Sequence, residues 1–353
     1  MDMARIVSIG TAVPEHRVAQ QEAKALAQRL FPGADDELES MFRVFDSAQV
    51  QIRYSAAPLD WFTRSHSFPE KNALYVAAAR TLSVRAIQAC LAPVGLSPED
   101  IDHLIVVSTT GIATPSLDAL LINDLKMRRG VIRTPIWGLG CSGGVAGVAR
   151  AAEFATARPR SRIVVVAVEL CTLTFMQSDG SKENLIATSL FGDGAAAALI
   201  TGTASGWPGP AILAHTCTTW PASLDVMGWH IVEDGFKLVL SKAIPAIVRN
   251  NIRTMVEAFL EENRLPRETV GHYITHPGGP RVIDAYREAL DLDESQLRHT
   301  RAVLRDFGNM SSPTVLFVLE RFLDQLAGCH GEYGLASALG PGFSAEMLLL
   351  QWT

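Results

Sequence analysis

Cysteines, basic clusters and long apolar runs are all scarce in this chain of 353 residues, and each scarcity removes a class of protein. The five cysteines (Cys90, Cys141, Cys171, Cys217 and Cys329) are odd in number and scattered, without a CxxC pair. Neither a disulfide framework nor a metal site is therefore expected. His330 follows Cys329 directly, but one adjacent pair lacks two further ligands. Free thiols suit a reducing compartment, and the expected location is cytoplasmic. Lys and Arg number 31 against 37 Asp and Glu, a net charge of −6 with no basic block, so nucleic acid is not an expected partner. Apolar runs such as residues 163–168 fall far short of the roughly 20 residues of a membrane helix. The opening MDMARIVSIG has an acid at position 2 and too short an apolar stretch for a secretory leader.

What is present is apolar and regularly patterned. Hydrophobic residues make up 48% of the chain and charged ones 19%, which excludes disorder and allows a large core. The length suits two domains or one duplicated unit. Strand and helix patterns alternate, as in α/β proteins. Helical spacing is expected over 73–91, 117–126, 145–154 and 238–260, and strands over 104–108, 135–139, 163–169 and 271–275. Ser311-Ser312-Pro313 reads as a helix start, and 333–338 and 345–352 as closing strands around Gly340-Pro-Gly342. No Gly/Ser linker divides the chain, so two similar α/β halves sharing a core are expected.

Three residues could carry chemistry. Cys141 lies where a strand ends and a helix begins, flanked by Gly140, Gly143 and Gly144. The helix N-terminus there is expected to lower its pKa, although a small buried cysteine beside a tight turn is an equal alternative. His276 follows a strand and is held by Pro277-Gly278-Gly279-Pro280, at the edge where open sheets bind ligands. Asn309 sits in a loop just before a helix, where Asn is usually a turn residue. A Cys–His pair makes an activated nucleophile, and an amide beside it can stabilise an oxyanion or enolate. A Cys protease fits the same residues, but the Gly-rich elbows favour a condensing enzyme.

The motifs WGLGCSGG (137–144), SLFGDGAAAAL (189–199), THPGGP (275–280), FGNMSSP (307–313) and ALGPGF (338–343) occur in the order and spacing of a known family. On them the sequence resembles the type III polyketide synthases, chalcone-synthase-like enzymes, from about Arg5 to its end. The resemblance implies a thiolase-like α/β fold with two similar halves packed as αβαβα layers, 1–206 carrying Cys141 and 207–353 carrying His276 and Asn309. It implies that Cys141 bears the acyl chain as a thioester. His276 and Asn309 would bind the thioester carbonyl and stabilise the enolate from malonyl decarboxylation. Phe191 would be the gatekeeping aromatic whose apolar surface favours loss of the carboxylate, with a core phenylalanine as the alternative. CoA thioesters are the implied substrates, with no further cofactor, and a homodimer is the implied assembly.

The resemblance also places Thr109, Thr110 and Thr114 on one cavity-lining loop, with Cys171 and Thr174 lining it from a strand end. Gly228 would border the cyclisation pocket and Ser311 would contact substrate. Leu238 would stand where chalcone-forming members carry a second gatekeeping Phe. Cys171, together with the 179–190 segment, is similar to bacterial alkylpyrone and alkylresorcinol synthases that thread a fatty acyl chain down a buried tunnel past Thr114 and Cys171. A core thiol is the alternative for Cys171. Plant members bind CoA phosphates with several bases, but here the stretch 45–53 keeps only Arg53, with Arg43 nearby, so delivery by acyl-CoA or by an acyl carrier protein stays open. The expected product is an alkylpyrone or alkylresorcinol from malonyl-CoA extension of a medium or long acyl starter. A short or malonyl starter giving a small pyrone or aromatic, a single-condensation ketosynthase, and a catalytically silent scaffold are the alternatives.

Overall fold

A computed structural model describes residues 3–31, 36–325 and 329–353. Its strands run β1 (Arg5–Ala12), β2 (His16–Ala19), β3 (Ile52–Ser55), β4 (His103–Val107), β5 (Ile132–Ile136), β6 (Arg162–Leu170), β7 (Asp193–Thr201) and β8 (Ala211–Thr219). They continue through β9 (Met227–Val232), β10 (Gly235–Leu240), β11 (Val270–Thr275), β12 (Tyr333–Gly340) and β13 (Ser344–Gln351). The helices are α1 (Gln20–Leu30), α2 (Asp36–Ser47), α3 (Phe68–Leu91), α4 (Leu117–Asp124), α5 (Gly143–Ala157) and α6 (Lys182–Leu190), then α7 (Ile244–Glu262), α8 (Pro280–Leu290), α9 (Arg298–Phe307) and α10 (Thr314–Gln325).

Nine strands pair in the order β11-β12-β13-β8-β1-β7-β6-β4-β5. The order is mirrored about its middle. In both halves an antiparallel run (β1-β7-β6 and β8-β13-β12) leads outward to a parallel neighbour, β4 beside β6 and β11 beside β12. The halves meet at a short β1–β8 contact, Arg5 opposite Ala211. The two similar α/β halves expected from the sequence are thus joined edge to edge by their first strands.

The layers follow from which faces are apolar. β6 and β7 are buried throughout and read as unbroken runs, Ile163-Val-Val-Val-Ala and Ala195-Ala-Ala-Ala-Leu, because helices cover both of their faces. α5 packs on β6 and β7 on one side and on β12 and β13 on the other, with α10 beside it. These two helices form the central layer. α3 covers the outer face of the first half, and α7 and α8 share an apolar cluster with the strands of the second. Ser67 opens α3 with a capping box: its hydroxyl accepts from Glu70 N, and the Glu70 carboxylate accepts from Ser67 N.

Two expected elements are displaced. Residues 238–240 belong to β10, paired with β9, and the helix expected from 238 begins at Ile244, where Pro245 suits its first turn. α10 starts at Thr314, and its two preceding serines do other work. Ser311 has φ +59°, and the Ser312 hydroxyl is drawn into the core by Glu169. No helix of the described residues is long and apolar enough to cross a membrane.

Candidate active site

The fold sets Asn309 beside Cys141, and the Asn309 amide reaches the loop that follows His276. Cys141 lies in a tight turn, Gly140–Ser142, just before α5. Backbone must pass very close there. A Cβ on Gly340 would lie 2.3 Å from both the Leu139 carbonyl and Ser142 Oγ, and one on Gly144 would lie 2.3 Å from the Ser312 carbonyl. These glycines let the nucleophile turn press against the β12–β13 turn and the Asn309 loop.

The Asn309 loop is tied to the Phe191 segment by a parallel bridge. Asn309 N donates to the Leu190 carbonyl (2.8 Å), and Gly192 N donates to the Asn309 carbonyl (3.0 Å). The Asn309 amide is held at both ends: Oδ1 accepts from Ser311 N (2.8 Å), and Nδ2 donates to the Gly278 carbonyl (3.2 Å). One Nδ2 hydrogen is left over, and the Ser311 and Asn309 side chains stand beside Cys141 and favour its thiolate. His276 N donates to Ser337 O (2.9 Å), while neither ring nitrogen has a protein partner although the residue is buried. Buried polar atoms are normally paired. A ring left open on both nitrogens is free to meet substrate.

Burial drives both titrating groups towards neutrality. It lowers the His276 imidazole to about 3 and raises the Cys141 thiol to about 11, with Glu169 adding to the rise and the Ser311 and Asn309 side chains opposing it. Desolvation thus works against the lowering expected from the helix N-terminus. Alkylation of Cys141 by iodoacetamide is therefore expected to accelerate about tenfold per pH unit from 7 to 10, following the thiolate fraction. A rate that is flat across that range would show a resting thiolate–imidazolium pair instead.

Glu169 was read only as a strand end, yet it braces the site. Its Oε2 accepts from Thr109 N (2.9 Å), Thr110 N (2.9 Å) and Thr110 Oγ1 (2.8 Å), and its Oε1 accepts from Ser312 Oγ (2.7 Å). Thr109 Oγ1 in turn accepts from Gly140 N (3.1 Å). One buried carboxylate thus joins the nucleophile turn to the Asn309 loop, and desolvation raises it to about 7. Asp193 does similar work, accepting from Ala56 N, Thr172 N and Thr172 Oγ1. An acid ending the otherwise apolar run Ile163-Val-Val-Val-Ala-Val-Glu169 is the signal that could have found Glu169.

An apolar chamber of about 70 Å³ is walled by Cys171 and Phe191, and Cys141, His276 and Asn309 are not among its lining residues. Cys171, Thr174, Phe191 and Leu238 line it, and Ala23, Ala27 and Leu30 of α1 form one wall. Cys171 is buried, and burial, then Glu169, Asp193 and Cys141, push its thiol well up. Gly228, paired with Val239, has open space where a Cβ would stand, and its neighbour Trp229 lines the chamber.

Other expected positions need correction. Thr109 and Thr110 are buried with their hydroxyls spent on Gly140 N, Glu169 and Leu170 N, so they support the nucleophile turn and do not line the chamber. Thr114 is exposed in the single chain, on the loop that carries exposed Ile112, and does not line the chamber. Arg53 is 3% exposed and its guanidinium is bound to backbone carbonyls, which leaves it unable to clamp a CoA phosphate. Arg43 remains exposed. Among the described residues no three metal-ligating side chains come together.

A nucleophilic thiol, an open imidazole and an anchored amide on two mirrored α/β halves define the class of condensing acyltransferases. The descriptions of the chalcone and stilbene synthases match residues 1–204 for their N-terminal domain and 212–352 for their C-terminal domain. The chain belongs to that family, the type III polyketide synthases. It is 38% identical to a 1,3,6,8-tetrahydroxynaphthalene synthase of Streptomyces peucetius subsp. caesius, over 98% of this chain and 93% of that one. It is 34% identical to a 3,5-dihydroxyphenylacetyl-CoA synthase of Streptomyces toyocaensis, over 99% and 90%. The crystal structure of the 1,3,6,8-tetrahydroxynaphthalene synthase of Streptomyces coelicolor A3(2), a bacterial type III polyketide synthase, superposes with a TM-score of 0.94 at 31% identity, covering 99% of each chain.

Proposed function

We propose that this polyketide synthase extends a medium- or long-chain acyl starter with malonyl-CoA and releases an alkylpyrone or alkylresorcinol. The observation that carries the starter class is the apolar chamber, whose wall includes Cys171 and Phe191 next to the nucleophile. In this reading the neutral His276 takes the Cys141 proton, and the thiolate attacks the starter thioester and expels CoA. Malonyl-CoA then loses carbon dioxide beside the apolar Phe191 ring, where a carboxylate is poorly solvated. Asn309 Nδ2 and His276 hold the resulting enolate oxygen, and the enolate carbon attacks the acyl-Cys141 carbonyl, breaking the C–S bond, expelling the Cys141 thiolate and leaving a β-keto thioester on CoA that is transferred back to Cys141 for the next extension. No cofactor beyond the CoA thioesters takes part. Cys141 is carried by residues 1–206, and His276 and Asn309 by 207–353. Delivery is by acyl-CoA or an acyl carrier protein, in the cytoplasm, by a homodimer. Exposed Ile112 and Trp137, the latter bonded to the Gly111 carbonyl, offer an apolar face for the second subunit.

A second reading, a short or malonyl starter giving a small aromatic, draws on the relatives named for tetrahydroxynaphthalene and phloroglucinol. Chain length separates the two. Each methylene withdrawn from water contributes about 0.8 kcal/mol, close to a factor of four in specificity before ordering costs. Turnover of dodecanoyl-CoA well above that of acetyl-CoA is expected, and Cys171→Phe should cut it at least tenfold while sparing acetyl- and butyryl-CoA. Unchanged long-chain turnover in a stable Cys171→Phe, or no long-chain preference in the native enzyme, would put the second reading ahead.

A further inference from the structure

Arg53 has no step in the reaction above, yet it is among the most deeply buried charges of the chain. Removing a guanidinium from water is costly unless its donors are met. They are met by the end of α6. Nη1 donates to the carbonyls of Thr188 and Phe191, and Nη2 donates to the Ser189 carbonyl and to Gln20 Oε1, leaving only Nε unpaired. Carbonyls at a helix C-terminus have no intrahelical donor and carry partial negative charge. A planar fork meets several of them in one fixed geometry, which a lysine ammonium on its flexible stem does not reproduce. Gln20 completes the arrangement from α1, donating to the carbonyls of Ser189 (3.1 Å) and Phe45 (2.8 Å).

The stem of Arg53 reaches the other partner of the bridge as well. A Cβ on Gly192 would lie 3.3 Å from Arg53 Cβ, and one on Gly308 would lie 3.7 Å from it. Gly192 follows Phe191 and Gly308 precedes Asn309, so the arginine braces both strands of the bridge that joins the gate to the amide. Burial lowers Arg53 to about 10 with Asp193 opposing, so the guanidinium stays charged at neutral pH.

We infer that Arg53 is a positioning residue for the decarboxylation step, fixing the Phe191 backbone and through it the placement of Phe191 and Asn309 over Cys141. The inference rests on the reading of Phe191 and Asn309 as the groups that act on the malonyl unit. Arg53→Lys keeps the charge and loses the fork. It is expected to lower malonyl-CoA decarboxylation ~10-fold, since small misplacements of reacting groups are costly, while loading of the starter on Cys141 changes less than about twofold. Gln20→Leu, which removes only the outer partner, should give a smaller loss with the same split and keeps the test standing if Arg53→Lys does not fold. Equal losses of loading and decarboxylation would overturn the inference. A Phe191→Leu enzyme that decarboxylates normally would overturn the reading of the gate and the inference with it. A defective Phe191→Leu beside a normal Arg53→Lys would overturn the inference alone.

Discussion

Cys141→Ala is expected to abolish both acyl loading and polyketide release, with product below detection by mass spectrometry. The loss is total because no other thiol can substitute. Cys171 is the nearest in kind, but its buried thiol is pushed well up and lies in the chamber wall. Cys90 is buried between Ser8 and its own helix, and its thiol is held up at about 12. Removing one sulfur from the Gly140–Ser142 turn leaves its backbone bonds to Thr109 and Leu139 in place, so the melting temperature should stay within a few degrees of the native value. Residual turnover above a few per cent would mean that the chain is held elsewhere.

The second large effect separates His276 from Asn309. Asn309→Ala removes one fixed donor to the enolate oxygen, and loss of such a donor costs about 10²–10³ in rate. The loss should fall on malonyl decarboxylation and extension far more than on starter loading, because Asn309 takes no proton from Cys141. His276→Ala should damage both stages. Both ring nitrogens of the buried imidazole are open, and without His276 the Cys141 thiol, itself raised by burial, loses its assigned base. Rapid-quench loading with acyl-CoA and separate decarboxylation of malonyl-CoA distinguish the stages. Equal, unaltered decarboxylation in the two variants would contradict the roles assigned to both.

The sequence pattern exposed some parts of this site and hid others for physical reasons. The unbroken apolar run of β6 and the glycines around Cys141 are local signals, and the structure keeps them where the pattern places them. The mirrored halves were legible as repeated α/β patterning, but their junction through one short β1–β8 contact was not, since edge pairing leaves no periodicity. Arg53 was misread because a lone base in a motif looks like a phosphate ligand. Only the fold reveals the α6 carbonyls around it. Thr114 shared a loop with Thr109 and Thr110, yet the chain turns outward after Gly111 and leaves it exposed. Leu238 was assigned to a helix because the apolar spacing runs on into α7, whereas cross-strand pairing with Trp229 claims it for β10. Glu169 shows in the sequence only as the acid that ends an apolar run, which signals a buried carboxylate without naming its partners.

The central claim is that the growing chain is carried by the thiol beside Asn309 and Ser311, with His276 as its proposed base. Incubating the native enzyme with a long-chain acyl-CoA, quenching in acid and mapping peptides by mass spectrometry locates that thioester directly. The account predicts the acyl group on the peptide containing Cys141, with the Cys171 peptide unmodified. An acyl group found on Cys171 while Cys141 stays free would contradict it.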